Sequence, residues 1–224
     1  MREQKLVLSF ILYPCAFIFR IRRAFFNSLI AVLYFLGASS FAAANSFDDA
    51  AAAYERGDYP QAIKVFRQLA EQGHPWAQRR LGLMYAEGKG VPQDYGEAVR
   101  WYRLAAAQGN VPAQYSLGLA YEKGKGVPRD YEEAVRWYRL AASRGNQSAQ
   151  INLGVMYTNG TGVRQDFVRA YMWFTLAAAA LSGDSLDAAT KNRDRIASKM
   201  TAEQIATAQE MARSCQESKF KNCD

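Results

Sequence analysis

The sequence has very little histidine and cysteine, and this scarcity excludes most familiar catalytic sites. Its 224 residues include one histidine, His74, and three cysteines, and no G-x-S-x-G, H-E-x-x-H or C-x-x-C motif occurs. A Ser-His or Cys-His mechanism would have to use His74, which lies in the turn-like stretch Gly73-His74-Pro75. A zinc site would need more cysteine or histidine ligands than the chain offers. We therefore expect no catalytic residue, no metal and no cofactor.

Long runs of basic residues are also missing, although the chain carries a formal net charge of +7. Five basic residues and one acid fall within the first 44 positions, so the rest of the chain has a net charge of only +3. No Lys/Arg block suited to a phosphate backbone remains there. The sequence therefore predicts no nucleic-acid partner.

Residues 1–44 have the composition of an export signal. Three arginines between positions 20 and 23 precede an apolar run over 24–36, and small residues at 42 and 44 suit cleavage after Ala44. The mature chain would then be periplasmic or secreted in a bacterium. The alternative is an uncleaved membrane anchor, with the arginines on the cytoplasmic side and the rest of the chain exported.

Cys215 and Cys223 are the only cysteines after this leader. In an oxidising compartment such a pair most simply forms one disulfide. Closing so short a loop would stabilise the fold by roughly 2.5 kcal/mol on the chain-entropy estimate. The alternative, a pair of metal ligands, lacks further cysteine or histidine nearby.

The chain after the leader repeats itself with a period of 36 residues. Similar segments begin at Ala77, Ala113 and Ala149, and a shorter relative over 46–73 lacks five residues before Asp58. Each unit carries two apolar stripes at helical spacing, which only stacking on neighbouring units can bury. The sequence therefore predicts an all-α fold, an α-solenoid of stacked helix-turn-helix repeats with a C-terminal helical cap.

The segment YAEGKGVPQDY, residues 85–95, could be a phosphate-binding loop or a turn between two helices. A phosphate loop follows a strand and ends in G-K-S/T, whereas these glycines follow a predicted helix. Lys89 also becomes Thr161 in the third unit. We interpret the segment as a turn in which Gly88 ends the first helix and Asp94 caps the second.

Two finer features are expected at the helices themselves. Asp94 with Glu97, and Asp130 with Glu133, have the spacing of a capping box. Gly82 lies within a helix and recurs in every long unit, although glycine costs up to ~1 kcal/mol there against alanine. Its recurrence predicts close approach by the backbone of a neighbouring helix.

The recurring motif is A-x-x-x-L-G-x-x-Y-x-x-G-x-G-V-x-x-D-Y/F-x-x-A-x-x-W/Y-Y/F-x-x-A-A, over residues 77–180. It resembles the Sel1-like repeat family, a branch of the tetratricopeptide-type helical repeats. The unit before it resembles an ordinary tetratricopeptide repeat. This divides the chain into a leader (1–44), a tetratricopeptide-like repeat (45–76), Sel1-like repeats (77–112, 113–148 and 149–182) and a helical cap with a disulfide-closed tail (183–224).

The resemblance implies that the first helix of each unit lines a concave groove that binds a protein or peptide. An apolar ridge of Leu83, Leu119 and Val155 would lie there beside polar residues of both signs, suited to an extended peptide or a helix. The alternative is that these side chains are simply solvated. The candidate partner-binding residues are Arg79, Leu83, Glu87, Tyr115, Leu119, Glu122, Lys123, Ile151, Val155 and Asn159, with the neighbouring Ala86 and Thr158.

The expected function is an exported, non-enzymatic interaction module with no small-molecule substrate. Two alternatives stay open. Some cysteine-rich Sel1-like proteins are linked to β-lactam binding or hydrolysis, but they carry a disulfide in each repeat, and the long units here contain no cysteine. The other alternative is a membrane-anchored structural scaffold of the cell envelope.

Overall fold

The computed structural model of the protein describes residues 47–180, 182–220 and 223. The proposed leader, with its cleavage site at Ala44, lies outside these residues. Within the described part of the chain, no helix is both long enough and apolar enough to cross a membrane.

These residues form ten helices and no strand. Helices α1 and α2, α3 and α4, α5 and α6, and α7 and α8 form successive hairpins, each packed on the next, while α9 and α10 both pack on α8. The predicted all-α solenoid with a helical cap is confirmed. The helices are α1 (47–55), α2 (Tyr59–Glu71), α3 (Pro75–Glu87), α4 (Tyr95–Ala107), α5 (Val111–Lys123), α6 (Tyr131–Ala142), α7 (Gln147–Asn159), α8 (Phe167–Ala178), α9 (Gly183–Ala197) and α10 (Ala202–Glu217).

The core runs continuously from hairpin to hairpin because each second helix is apolar on more than one side. In α4, Trp101 packs into the cluster formed by the first two hairpins, whereas Tyr102 packs into the cluster shared with α5. In α8, Trp173 and Phe174 are almost fully buried. Burial of a large apolar side chain stabilises by roughly 1.5–3 kcal/mol, so each hairpin depends on its neighbours for its stability.

The glycine within each of α3, α5 and α7 makes room for an aromatic ring. A Cβ at Gly82 would lie 2.7 Å from the ring of Tyr102, and one at Gly118 would lie 2.5 Å from the ring of Tyr138. The expected close approach is present, but the approaching group is mainly this ring, from the second helix of the same hairpin, and not a helix backbone as predicted. The ring then fills the space between the two helices.

The loop between the two helices of a unit is a turn, as predicted. Gly88 ends α3 in the left-handed conformation, with φ +68°. Gly90 has φ +76°, and a Cβ there would lie 3.0 Å from the carbonyl oxygen of Tyr59, at the start of α2. In the next unit, a Cβ at Gly126 would overlap the backbone carbonyl of Tyr95. The second glycine of the loop therefore allows it to pack against the preceding hairpin.

The predicted capping boxes of α4 and α6 are wrong, although the aspartate caps are present. Asp94 Oδ1 accepts a hydrogen bond from the backbone N–H of Glu97 (3.0 Å). The backbone N–H of Asp94 donates to the carbonyl of Tyr85 (2.9 Å) and has no need of the Glu97 side chain. That side chain pairs with Arg100 (2.8 Å). The second unit repeats the arrangement, with Asp130 as the cap and Glu133 paired with Arg136.

Three buried glutamines join successive hairpins through hydrogen bonds. Each lies in the first turn of a first helix and donates to a carbonyl near the end of the preceding second helix, where backbone acceptors lack helical partners. The pairs are Gln78 with Ala70 (3.1 Å), Gln114 with Ala106 (3.3 Å) and Gln150 with Ala142 (3.3 Å).

The C-terminal segment closes the last hairpin. Ile196 of α9 and Ala208 of α10 are fully buried in the cluster that they share with it. A disulfide joins Cys215 to Cys223, with the two Cα atoms 4.7 Å apart. It holds Cys223 against α10 and the core.

Candidate functional site

The ten candidate residues lie on the first helices α3, α5 and α7. All of them are half-buried or exposed, although Tyr115, Leu119 and Ile151 pack against the core. The structure brings six of them together in two cavities and leaves the others outside these cavities.

The first cavity has a volume of about 390 Å³ and is formed by α3, α4, α5 and the loop that follows α5. Leu83, Ala86 and Leu119 contribute to an apolar lining, and Lys123 and Lys125 add two positive charges. Among the residues that the structure describes, no acidic residue lines this cavity. Candidates Leu83, Leu119 and Lys123 therefore share one apolar and basic site.

The second cavity, of about 240 Å³, lies one repeat further along. Candidates Glu122, Val155 and Asn159 line it, each 36 positions after a residue of the first cavity. Glu122 replaces Ala86, and Asn159 and Thr161 replace the two lysines. The second site is therefore smaller, more polar and acidic.

An ion pair forms the boundary between the two cavities. Glu122 Oε1 lies 2.8 Å from Lys123 Nζ, and Glu122 Oε2 accepts a hydrogen bond from the Tyr138 hydroxyl (2.6 Å). The hydrogen bond to Glu122 raises the pKa of Lys123. Burial, followed by the bond to Glu122, raises the pKa of Tyr138 well above its usual range. Lys123 is thus presented to the first cavity and Glu122 to the second.

One repeat earlier, the residues equivalent to Lys123 and Lys125 are Glu87 and Lys89, and both are held by contacts within the chain. Lys89 lies 2.9 Å from the Glu87 carboxylate and donates to the Tyr54 hydroxyl (3.0 Å), which itself donates to Glu87 (2.9 Å). Burial favours the neutral form of Glu87, but hydrogen bonds from Lys89 and Tyr54 outweigh it and lower the pKa of this carboxyl. Candidate Glu87 therefore belongs to a cluster that is already paired.

The remaining candidates, Arg79, Tyr115 and Ile151, occupy one repeat position and line neither cavity. Arg79 is half-buried, its Nε has no hydrogen-bond partner, and burial followed by the charge of Arg80 lowers its pKa. The ring of Tyr115 packs against that of Tyr138, with centroids 5.8 Å apart. The position serves packing in at least one repeat.

Sequence reasoning missed the contribution of the loop to both cavities. Lys125 of the loop lines the first, and Thr161 of the next loop lines the second, each beside the tyrosine that begins a second helix, Tyr95 or Tyr131. The available signal was the change from lysine to threonine at one position of otherwise similar loops.

A larger polar cavity, of about 700 Å³, lies where α8 meets the cap and contains Arg139, Arg164 and Arg169. Arg139 donates to the Tyr157 hydroxyl (2.6 Å), and Arg169 donates to the Asp166 carboxylate (2.8 Å). At least two of its three arginines are therefore engaged within the chain. Its polar lining offers less apolar surface to a ligand than the first cavity does.

A family model described as Sel1 repeat matches residues 50–74, 77–110, 111–146 and 147–180. The chain belongs to the Sel1 repeat family. The first match shows that the short hairpin of α1 and α2 is also a Sel1 repeat, although its sequence resembles an ordinary tetratricopeptide repeat. All of the first-helix positions described above therefore lie within Sel1 repeats.

Two solved Sel1-type structures are similar to this chain. A Sel1 repeat protein from Oxalobacter formigenes is 32% identical, with a TM-score of 0.61 over 66% of this chain and 57% of its own. A protective antigen present in uropathogenic Escherichia coli strains, displaying an SLR fold, is 29% identical, with a TM-score of 0.54 over 78% of this chain and 45% of its own. The chain thus spans about half the length of each. No curated protein matches it.

The Sel1 repeat fold is commonly a protein-interaction scaffold, and proteins built from it are typically non-enzymatic. Among the residues that the structure describes, no group of three or more His, Cys, Asp or Glu side chains is placed to hold a metal ion.

Proposed function

We propose that this protein is an exported, non-enzymatic interaction module that binds a protein partner through the face formed by α3, α5 and α7. The main support is the pair of repeat-related cavities, because a row of openings at equivalent positions suits an elongated ligand. The first cavity combines apolar surface with charged side chains at its mouth. Interfaces that bind selectively use this combination.

Affinity capture with two matched double variants tests the proposal. Leu83→Glu with Leu119→Glu places charge in the first cavity, whereas Leu104→Glu with Leu140→Glu places it on exposed leucines of the second helices. The control leucines are 43% and 46% exposed. We expect the first variant to lose the partner and the second to keep it, with both retaining their helical circular dichroism. Equal recovery by the two variants would reject this face as the binding surface.

Export rests on the composition of residues 1–44, and mass measurement of the protein from a bacterial envelope fraction tests it. A mature chain that begins at residue 45 would support cleavage after Ala44. An intact leader would instead favour the membrane-anchored scaffold, with the same binding face. Recovery in the cytoplasmic fraction would contradict both forms.

A further inference from the structure

We propose that the partner is an extended protein segment that places an apolar side chain flanked by acidic residues in the first cavity. Three or four residues away, the same segment places a basic or amide side chain in the second cavity. This inference rests on the proposed function and adds the chemistry of the ligand to it.

The first argument is a carboxylate that is present at one repeat and missing at the next. Lys89 has both Glu87 and the Tyr54 hydroxyl as partners. Its counterpart Lys125 bonds to the Tyr95 hydroxyl (3.3 Å) and lies 4.9 Å above the Tyr95 ring. Among the described residues it takes part in no ion pair, because the counterpart of Glu87 is Lys123.

Two lysines therefore line the first cavity with no acid among the lining residues. Like charges brought together repel each other, and a carboxylate from a ligand would relieve this repulsion. The cavity mouth thus favours an acidic residue. Lys123 can turn towards such a ligand while it keeps its contact with Glu122, since an ammonium group has three donors.

The second argument is the apolar lining of the same cavity. Small side chains at Ala86, Ala98 and Ala120 leave space between Leu83 and Leu119. The volume of about 390 Å³ falls within the range of ligand pockets, roughly 300–1,000 Å³. One aliphatic or aromatic side chain would be covered there while its acidic neighbours reach the lysines.

The third argument is the reversal of charge at the next repeat. Glu122 projects into the second cavity, and the two lysine positions become Asn159 and Thr161. An acidic ligand side chain would meet a carboxylate at this site. A lysine, arginine or glutamine side chain would instead donate a hydrogen bond to it.

The two sites together set the register of the ligand. Equivalent positions on neighbouring units are separated by about one helix diameter, roughly 10–12 Å. An extended chain covers this distance in three or four residues, at roughly 3.3 Å for each residue. A segment with its charges in the opposite arrangement would place an acid beside Glu122 and a base beside the two lysines.

Synthetic peptides with blocked ends test the proposal directly. The probe carries Glu-Leu-Glu with a lysine three residues from the leucine, in both chain directions, and the controls carry Gln-Leu-Gln, Glu-Ser-Glu or a glutamate for the lysine. Binding to the full protein is measured by fluorescence anisotropy at low and moderate salt. We expect each control to bind at least about tenfold more weakly, and the loss for Gln-Leu-Gln to shrink as salt screens the charges.

Protein variants assign the effect to the cavity. Lys123→Glu with Lys125→Glu should lose the Glu-Leu-Glu peptide and gain a Lys-Leu-Lys peptide. The control, Lys64→Glu with Lys191→Glu, makes the same change in net charge at exposed positions outside both cavities. It should keep the original preference. Because gain of the reversed peptide requires a folded site, misfolding of the first variant cannot imitate it.

Three results would overturn the inference. They are equal binding of the Glu-Leu-Glu and Gln-Leu-Gln peptides, equal loss in the two charge-reversal variants, and no saturable binding of the probe. Each leaves the proposed function separately testable, because loss of the partner by the Leu83 and Leu119 variant does not depend on the peptides. A partner that binds as a preformed helix would show the leucine effect without the peptide preference.

Discussion

Replacing Gly126 with alanine should destabilise the protein more than its backbone conformation alone requires. The residue has φ +76°, and a left-handed conformation costs an L-residue roughly 1–2 kcal/mol. In addition, the new Cβ would overlap the backbone carbonyl of Tyr95, which belongs to the preceding hairpin. Overpacking of this kind costs about 1–3 kcal/mol. We therefore expect a total loss of roughly 2–5 kcal/mol in the free energy of unfolding.

Gly57 supplies the matched control for this substitution. Its φ is +80°, but a Cβ there would meet no atom within 4 Å. Gly57→Ala should therefore cost only the roughly 1–2 kcal/mol of backbone strain. Urea unfolding followed by circular dichroism, with a common m-value, gives both losses. If the two variants lose the same free energy within about 0.5 kcal/mol, the contact between the loop and the preceding hairpin is not a reason why position 126 requires glycine.

Three further experiments test other parts of the structure. Burial raises the pKa of Tyr102 to about 12, against about 10 when unfolded, so ionisation of the unfolded chain should lower stability between these pH values by about 1.4 kcal/mol per pH unit. Tyr102→Phe should reduce the slope of urea-derived stability against pH, and an unchanged slope would refute this. Cys215→Ser with Cys223→Ser should lower the free energy of unfolding by roughly 2.5 kcal/mol, and a loss near zero would contradict a stabilising role. Asp130→Ala should cost about 1 kcal/mol, whereas Glu133→Gln should cost under about 0.5 kcal/mol. Equal losses for Asp130→Ala and Glu133→Gln would indicate that the Glu133 side chain does take part in a capping box.

The sequence was sufficient to predict the fold because the features that determine it are local and repeated. A period of 36 residues, two helical stripes in each unit and a glycine after the first helix specify stacked hairpins. Gly88 indeed ends α3 in the left-handed conformation, and Asp94 caps α4. A capping box does form at Thr201 and Gln204, where the backbone N–H of Thr201 donates to the Gln204 side chain and the described structure gives it no backbone carbonyl as a partner.

The predictions that failed concern groups separated along the chain. The capping box at Asp94 fails because its N–H reaches the carbonyl of Tyr85 across the loop, a partner that the spacing of Asp94 and Glu97 does not reveal. The cavities were not predicted as such because three helices and a loop form each of them. Six of the ten candidates line these openings, whereas Tyr115 and Ile151 pack against the core outside them.

Sequence differences among the repeats distinguish candidate binding residues from packing residues better than the exposure of the side chains does. Leu81, Leu117 and Leu153 occupy one position, are identical and are fully buried, as expected where packing alone determines the residue. Arg79 and its counterpart Tyr115 differ, but Tyr115 packs against a neighbouring ring, so variation alone does not identify a binding residue.

A smaller set of positions both differs between the two units and lines a cavity. Ala120 and Met156 are one such pair, but both are buried in the core. The other pairs are Ala86 and Glu122, Ser116 and Asn152, Leu119 and Val155, Lys123 and Asn159, and Lys125 and Thr161. The backbone environment at each pair is nearly the same. Packing therefore gives little reason for the side chain to change in charge or polarity from one unit to the next. A ligand that contacts both units at once would supply such a reason, because it must meet the two sites with different side chains.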